Sequence, residues 1–205
     1  IDISFYTLGG NRKAIDRKKQ VQYFNQFDYI FDFTAGDSFS DIYGVKRFIS
    51  GSLVKLNVMN SKAKLILGNQ TYGPFKHFIS KMVAIKIINN AYDCFSRDST
   101  SERYVLDLCK RELKHSTDVA FALPYDSSIL EKRNDGVKRI GLNVSGLLWS
   151  GGYNRNNQFD LKCDYKLYTN ELVKKLIELS DTEVYLIPHV CSNDLAYPDN
   201  DIIAC

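Results

Sequence analysis

Ala63-Lys64-Leu65-Ile66-Leu67-Gly68-Asn69-Gln70-Thr71-Tyr72-Gly73-Pro74-Phe75 decides the fold. Ala63 to Leu67 is a short apolar run of the length and composition of a strand buried on both faces. The residues after it switch to glycine, amide and hydroxyl side chains. Phe78 to Asn90 then continues as a helix. Buried strand, polar loop and helix, taken in that order, form the repeating unit of a mostly parallel sheet covered by helices.

The same unit is read on either side. Upstream, Ile1 to Leu8 alternates as a strand, Gly9-Gly10-Asn11 is a turn, and Arg12 to Phe24 is a basic helix. Phe27 to Thr34 is an aromatic and β-branched strand, Ala35 to Gly44 a loop, and Val45 to Met59 a helix weakened by Gly51. Downstream, Tyr92 to Ser96 is a strand, and Asp98 caps a helix that runs to Lys110. Val119 to Leu123 closes the first half. The polar segment Pro124 to Val137 reads as a linker, which leaves an N-terminal lobe 1–124, a linker 125–137 and a C-terminal lobe 138–205. In the latter, Arg139 to Val144 and Glu183 to Ile187 are strands, Gly146 to Lys162 is rich in glycine and asparagine, and Asp164 or Tyr165 to Leu179 is an amphipathic helix. The ends of the chain read as those of a fragment truncated on both sides.

Composition narrows the function classes. A net charge of +3 over 205 residues is too mild to argue for nucleic acid. No apolar run reaches the roughly 20 residues of a membrane-spanning helix. The five cysteines, Cys94, Cys109, Cys163, Cys191 and Cys205, form no CxxC pair, so they read as reduced thiols of a cytoplasmic protein rather than as a disulfide framework or a zinc site. There is no GxGxxG, no P-loop and no metal-ligand cluster, and no cofactor or metal is expected.

Chemistry is expected where polar clusters follow strands, because open α/β sheets bind ligands beyond the carboxyl ends of their strands. Gly36 to Asp41, Gly68 to Gly73, Ser96 to Ser101, Asn143 to Gly146 and Pro188-His189-Val190 all hold that position. Arg97 ends a strand just before a helix start, where a guanidinium and backbone amides can bind one anion together. His189 can hold a phosphate oxygen or move a proton near pH 7. Asp37 and Asp41 are either proton-transfer and hydroxyl-binding groups or turn and cap residues. Gly36, Ser38, Gln70, Tyr72, Ser101, Asn143 and Ser145 complete the set of candidate substrate contacts. His77 and His115 read as surface residues.

These clusters, in this order, resemble the polysaccharide pyruvyl transferase family. Phe33 to Gly44 resembles its glycine-acid loop, Gly68 to Phe75 its GQ-x-x-GPF segment, Ser96 to Ser101 its RD-x-x-S motif and Thr117 to Phe121 its D-x-A-F strand. Gly141 to Ser145 and Ile187 to Val190 are similar to later segments. The resemblance implies a two-lobed fold like that of the GT-B glycosyltransferases with the active site between the lobes. It implies phosphoenolpyruvate as donor and a hydroxyl pair of a surface glycan, or of its lipid-linked precursor, as acceptor, with peripheral membrane contact open. The product is then a pyruvate ketal. Arg97 and His189 fall on donor-binding positions and are expected to face each other, with Asp37, Asp41 and His189 as unranked proton donors. The alternatives are a nucleotide-sugar glycosyltransferase and a non-catalytic scaffold of the same fold.

Overall fold

The computed structural model describes residues 17–33, 39–126, 128 and 135–205. The chain divides into two compact units, Ile1–Pro124 and Tyr125–Cys205. The first expected strand, Ile1 to Leu8, and the turn after it lie outside the described residues.

Among the described residues of the first unit, four parallel strands stand in sequence order: β1 (Tyr29–Asp32), β2 (Lys64–Gln70), β3 (Asp93–Ser96) and β4 (Lys114–His115). β2 is the strand read first from the sequence, paired on both sides up to Leu67 and carried three residues further by β3, where Gln70 aligns with Ser96. Tyr29 aligns with Lys64 on one side and Ile66 with Asp93 on the other. Helix α1 (Arg17–Phe24) precedes β1, and α2 (Val45–Met59), α3 (Phe78–Asn90) and α4 (Ser99–Cys109) connect successive strands. With a one-directional strand order, right-handed crossovers put all three connecting helices on one face. That face is the core, where Leu67, Ala84, Ile87, Ile88 and Val105 are fully buried against Phe39, Phe48 and Phe75. Lys55 of α2 is buried in the same layer. Its ammonium sits 2.8 Å from the Asp32 carboxylate at the end of β1 and 5.1 Å from the Phe39 ring centre. A buried lysine needs such a partner to stay charged.

Two elements differ from expectation. β4 was not read from the sequence, because two polar residues carry no alternation. Val119 to Leu123 does not form a strand: Val119–Ala122 is a 3-10 turn, started by Asp118, whose Oδ1 accepts from the Ala120 amide at 2.9 Å. Asp competes for the backbone in this way wherever the chain turns. Gly73 works by its backbone alone: its φ is 72°, and a Cβ would come within 2.4 Å of the Tyr104 ring.

The second unit pairs β5 (Lys138–Leu142) with β6 (Thr182–Leu186) in parallel, Lys138 opposite Thr182 and Leu142 opposite Leu186. Helices α5 (Gly146–Trp149), α6 (Tyr165–Ile177) and α7 (Asp201–Ala204) surround them. Three polar side chains cap these helices: Ser145 Oγ accepts from Leu148 N, Asp164 Oδ1 from Leu167 N, and Asn200 Oδ1 from Ile202 N.

Asp201 holds the carboxyl ends of both strands of this unit. It is 3% exposed. Oδ1 accepts from Gly146 N at 2.6 Å, and Oδ2 accepts from His189 N at 2.9 Å and Val190 N at 2.8 Å. Burial by itself raises the carboxyl pKa, but these amides and the Asn143 side chain outweigh it and hold the group below its ordinary 3.8. Gly146 is the close-approach residue here, since a Cβ on it would lie 2.3 Å from the Asn200 carbonyl oxygen.

Two stability predictions follow from this strap. Gly146→Ala is expected to cost about 1–3 kcal/mol through overpacking against backbone that cannot move aside, read as a lower urea midpoint. Asp201→Asn is expected to cost about 3 kcal/mol at neutral pH. Because the folded-state pKa is depressed, the carboxylate contributes above its unfolded value of 3.8 and loses its contribution as pH falls through the folded one. The gap between parent and variant should therefore close below that pH, and a gap constant from pH 7 to pH 2 would refute the assignment.

Candidate functional site

In the first unit, the carboxyl ends of β2, β3 and β4 bring Asn69, Thr71, Arg97, Asp98 and Asp118 together. Arg97 follows β3 directly. Its Nε donates to Thr71 Oγ1 at 2.9 Å and its Nη1 to Asp118 Oδ2. Nη2 has no partner among the described residues, and the side chain is 27% exposed. The guanidinium is thus oriented by two contacts while Nη2 keeps its N–H donors for an oxygen of a carboxylate or phosphate. Asp118 is held below its usual pKa range, first by the Ala120 amide and then by Arg97.

Asp98 is a cap. Its Oδ1 accepts from Ser101 N at 2.7 Å, and its Oδ2 accepts from Ser101 Oγ at 2.9 Å and Thr71 Oγ1 at 3.2 Å. Burial raises its pKa, but the two Ser101 bonds, Thr71 and Arg97 bring it below the ordinary value. The amides of Ser99 and Thr100 have no partner among the described residues. They add the positive end of α4 to the field around Arg97. Asn69 Nδ2 donates to Thr117 O at 2.8 Å and to Ser116 Oγ, tying the end of β2 to the segment after β4.

Several sequence candidates take other positions. Gly36, Asp37 and Ser38 lie outside the described residues. Asp41 is buried, with Oδ1 accepting from Lys76 N and Oδ2 from His77 N, both at 2.9 Å, at the start of α3. Of the two roles left open for it, the geometry displays the capping one. Burial works to raise its pKa, yet those amides bring it below the usual value, as suits an acceptor for the backbone turn that leads into α3. Ser101 is buried, and its Oγ accepts from Tyr72 N at 2.9 Å while donating to Asp98. Gln70 and Tyr72 are buried too. Burial raises the Tyr72 pKa well above its usual value. The Gln70 amide atoms and the Tyr72 hydroxyl have no hydrogen-bond partner among the described residues, a cost that packing must offset.

In the second unit, Asn143 Nδ2 donates to Ile187 O at 2.7 Å, and Ser145 caps α5 while its amide donates to the Tyr165 hydroxyl at 3.0 Å. Both therefore lace strand ends. His189 is exposed, and its imidazole has no partner among the described residues; only its backbone amide is fixed, by Asp201. His115, by contrast, is 2.7 Å from Glu102 Oε1. Sequence reasoning passed over Thr71, Asp118 and Asp201 as site residues. Thr71 and Asp118 lie within segments already marked and Asp201 outside them, but which of several Asp or Thr side chains reaches an amide or a guanidinium is a tertiary matter.

Among the described residues no group of three His, Cys, Asp or Glu side chains is placed to hold a metal ion, and no helix is long and apolar enough to cross a membrane. All five cysteines are free thiols, and burial pushes Cys94 up to about 12.

No curated protein and no solved structure matches the chain. The sequence profile of the family described as polysaccharide pyruvyl transferase matches it over residues 2–204. Parallel strands flanked by helices, with an oriented arginine at the end of β3, are the α/β setting in which that match lies, and the chain belongs to the polysaccharide pyruvyl transferase family of transferases.

Proposed function

We propose that the protein transfers a pyruvyl group from phosphoenolpyruvate to two hydroxyls of one sugar in a surface polysaccharide or its lipid-linked precursor, in the cytoplasm. The observation that carries the donor assignment is Arg97: held by Thr71 and Asp118, it keeps Nη2 unspent beside the open amides of Ser99 and Thr100. A donor with one carboxylate and one phosphate needs such a combination of fork and helix end.

The chemistry requires a proton on the donor's methylene carbon. Its π electrons take that proton, the adjacent carbon becomes electrophilic, and the first sugar hydroxyl adds to it with loss of its own proton. The second hydroxyl then displaces phosphate, which leaves with the C–O bonding pair and can take up that hydroxyl's proton, and a cyclic ketal results. Asp41, Asp98, Asp118 and Asp201 are all occupied by amides or by Arg97. Each has its pKa lowered, which makes it a poor proton donor. Among the described candidates the imidazole of His189 is uncommitted, and we assign it the proton donation. Its backbone is fixed by Asp201, so the ring is delivered from a rigid base.

Incubation of the intact protein with phosphoenolpyruvate and acceptor glycan is expected to release phosphate and to leave a pyruvate ketal on the glycan by mass spectrometry. Arg97→Lys keeps the charge but loses the fork, and should lower kcat/KM by about 10–100-fold. His189→Gln should lower kcat by about 100-fold or more, with KM for the donor changed far less. Thermal stabilisation by nucleotide sugars and not by phosphoenolpyruvate would sink the assignment in favour of a glycosyltransferase.

A further inference from the structure

Trp149 is the single tryptophan of the chain, and it lines two adjoining hollows in the second unit. One, of about 320 Å³, is also lined by Ser150, Arg155, Lys166, Leu195 and Tyr197. The other, of about 340 Å³, shares Trp149, Ser150 and Lys166 with it. Each volume is at the lower end of the range that holds small ligands, about 300–1,000 Å³. The walls come from the segment that leaves the carboxyl end of β5, the segment that leaves the carboxyl end of β6, and the first turn of α6. This is the edge at which parallel α/β sheets bind ligands.

The charges in the first hollow are unusual for this unit. Arg139 pairs with Asp135 and Glu183, Lys162 with Asp160, and Lys174 with Glu171. Arg155 and Lys166 have no carboxylate partner among the described residues. Arg155 Nη2 donates to the Ala196 carbonyl at 2.8 Å, which joins the two loops and leaves Nε and Nη1 for something else. The Lys166 ammonium is 5.4 Å from the Trp149 ring centre. An aromatic plate, two unneutralised cations and the hydroxyls of Ser150 and Tyr197 therefore meet in one shallow hollow.

We infer that the hollow beside Trp149 binds a saccharide ring that carries an acidic group. The indole packs on the apolar C–H face of the ring, the hydroxyls of Ser150 and Tyr197 meet sugar hydroxyls, and Arg155 and Lys166 take the phosphate or carboxylate. Its role as an acceptor subsite rests on the pyruvyl-transfer reading above; the binding itself does not.

Trp149 supplies its own probe. In the intact chain without donor, a hexose 1-phosphate is expected to shift Trp149 fluorescence saturably. The neutral methyl hexoside should bind at least about 10-fold more weakly, a difference of about 1.4 kcal/mol, and inorganic phosphate alone should produce no shift. Lys166→Ala and Arg155→Ala should each weaken hexose phosphate binding about 5–10-fold with an unchanged circular dichroism spectrum. The inference is overturned by no saturable response, by an equal response to inorganic phosphate, by tighter binding of a nucleoside monophosphate, or by unchanged affinity in both variants. Saccharide binding without any turnover of phosphoenolpyruvate would leave this site standing and remove the pyruvyl-transfer reading; turnover without a fluorescence response would do the reverse.

Discussion

The pairing of β2 with a parallel neighbour on each side is the constraint on which the first unit depends. A strand bonded along both edges and covered by helices is buried, so its middle must be apolar, and Leu65, Ile66 and Leu67 are. Parallel pairing also forces every strand to end at the same edge. Asn69, Thr71, Arg97 and Asp118, separated by up to 49 positions in the chain, are neighbours because β2, β3 and β4 finish together. The second unit repeats the arrangement with two strands, whose ends are held by one carboxylate.

Carboxylates in these strand-end segments are consumed by the backbone. Asp41 takes the two amides just ahead of α3, Asp98 caps α4, Asp118 starts the 3-10 turn, and Asp201 takes three amides. A helix start or a strand end leaves N–H groups that must find acceptors when they are buried. A nearby Asp ionised by those bonds is the cheapest acceptor, and the same bonds lower its pKa. The uncommitted polar groups near these carboxylates are then on basic side chains: Arg97 Nη2 in the first unit, and in the second the His189 imidazole and the cations Arg155 and Lys166.

The polar atoms of Gln70 and Tyr72 show the other side of the same burial. Both residues sit in a segment rich in hydroxyls and amides, which is why they read as ligand contacts. In the structure Tyr72 is packed edge-on against Phe39, with ring centres 5.6 Å apart, and its amide, not its hydroxyl, is bonded, to Ser101. The side chains of Gln70 and Tyr72 are thus turned into the core. Thr71 between them points the other way and holds Arg97, as alternation along an extended chain demands.

By itself the sequence determined the class of the fold and most element positions. Apolar runs of strand length alternate with helical periodicity, and a parallel sheet is the arrangement that satisfies that order. The run of motifs from Phe33 to Val190 sufficed for the family. Tertiary structure alone decided which side chains within each polar segment face solvent and which are spent on amides. Asp41, Asp98 and Asp201 are chemically identical until the backbone N–H groups around them are placed, and those groups come from residues 3 to 55 positions away. Local pattern records residue type and period. It does not record which distant amide a carboxylate meets, and that contact is what makes Asp41 and Asp201 acceptors for the backbone.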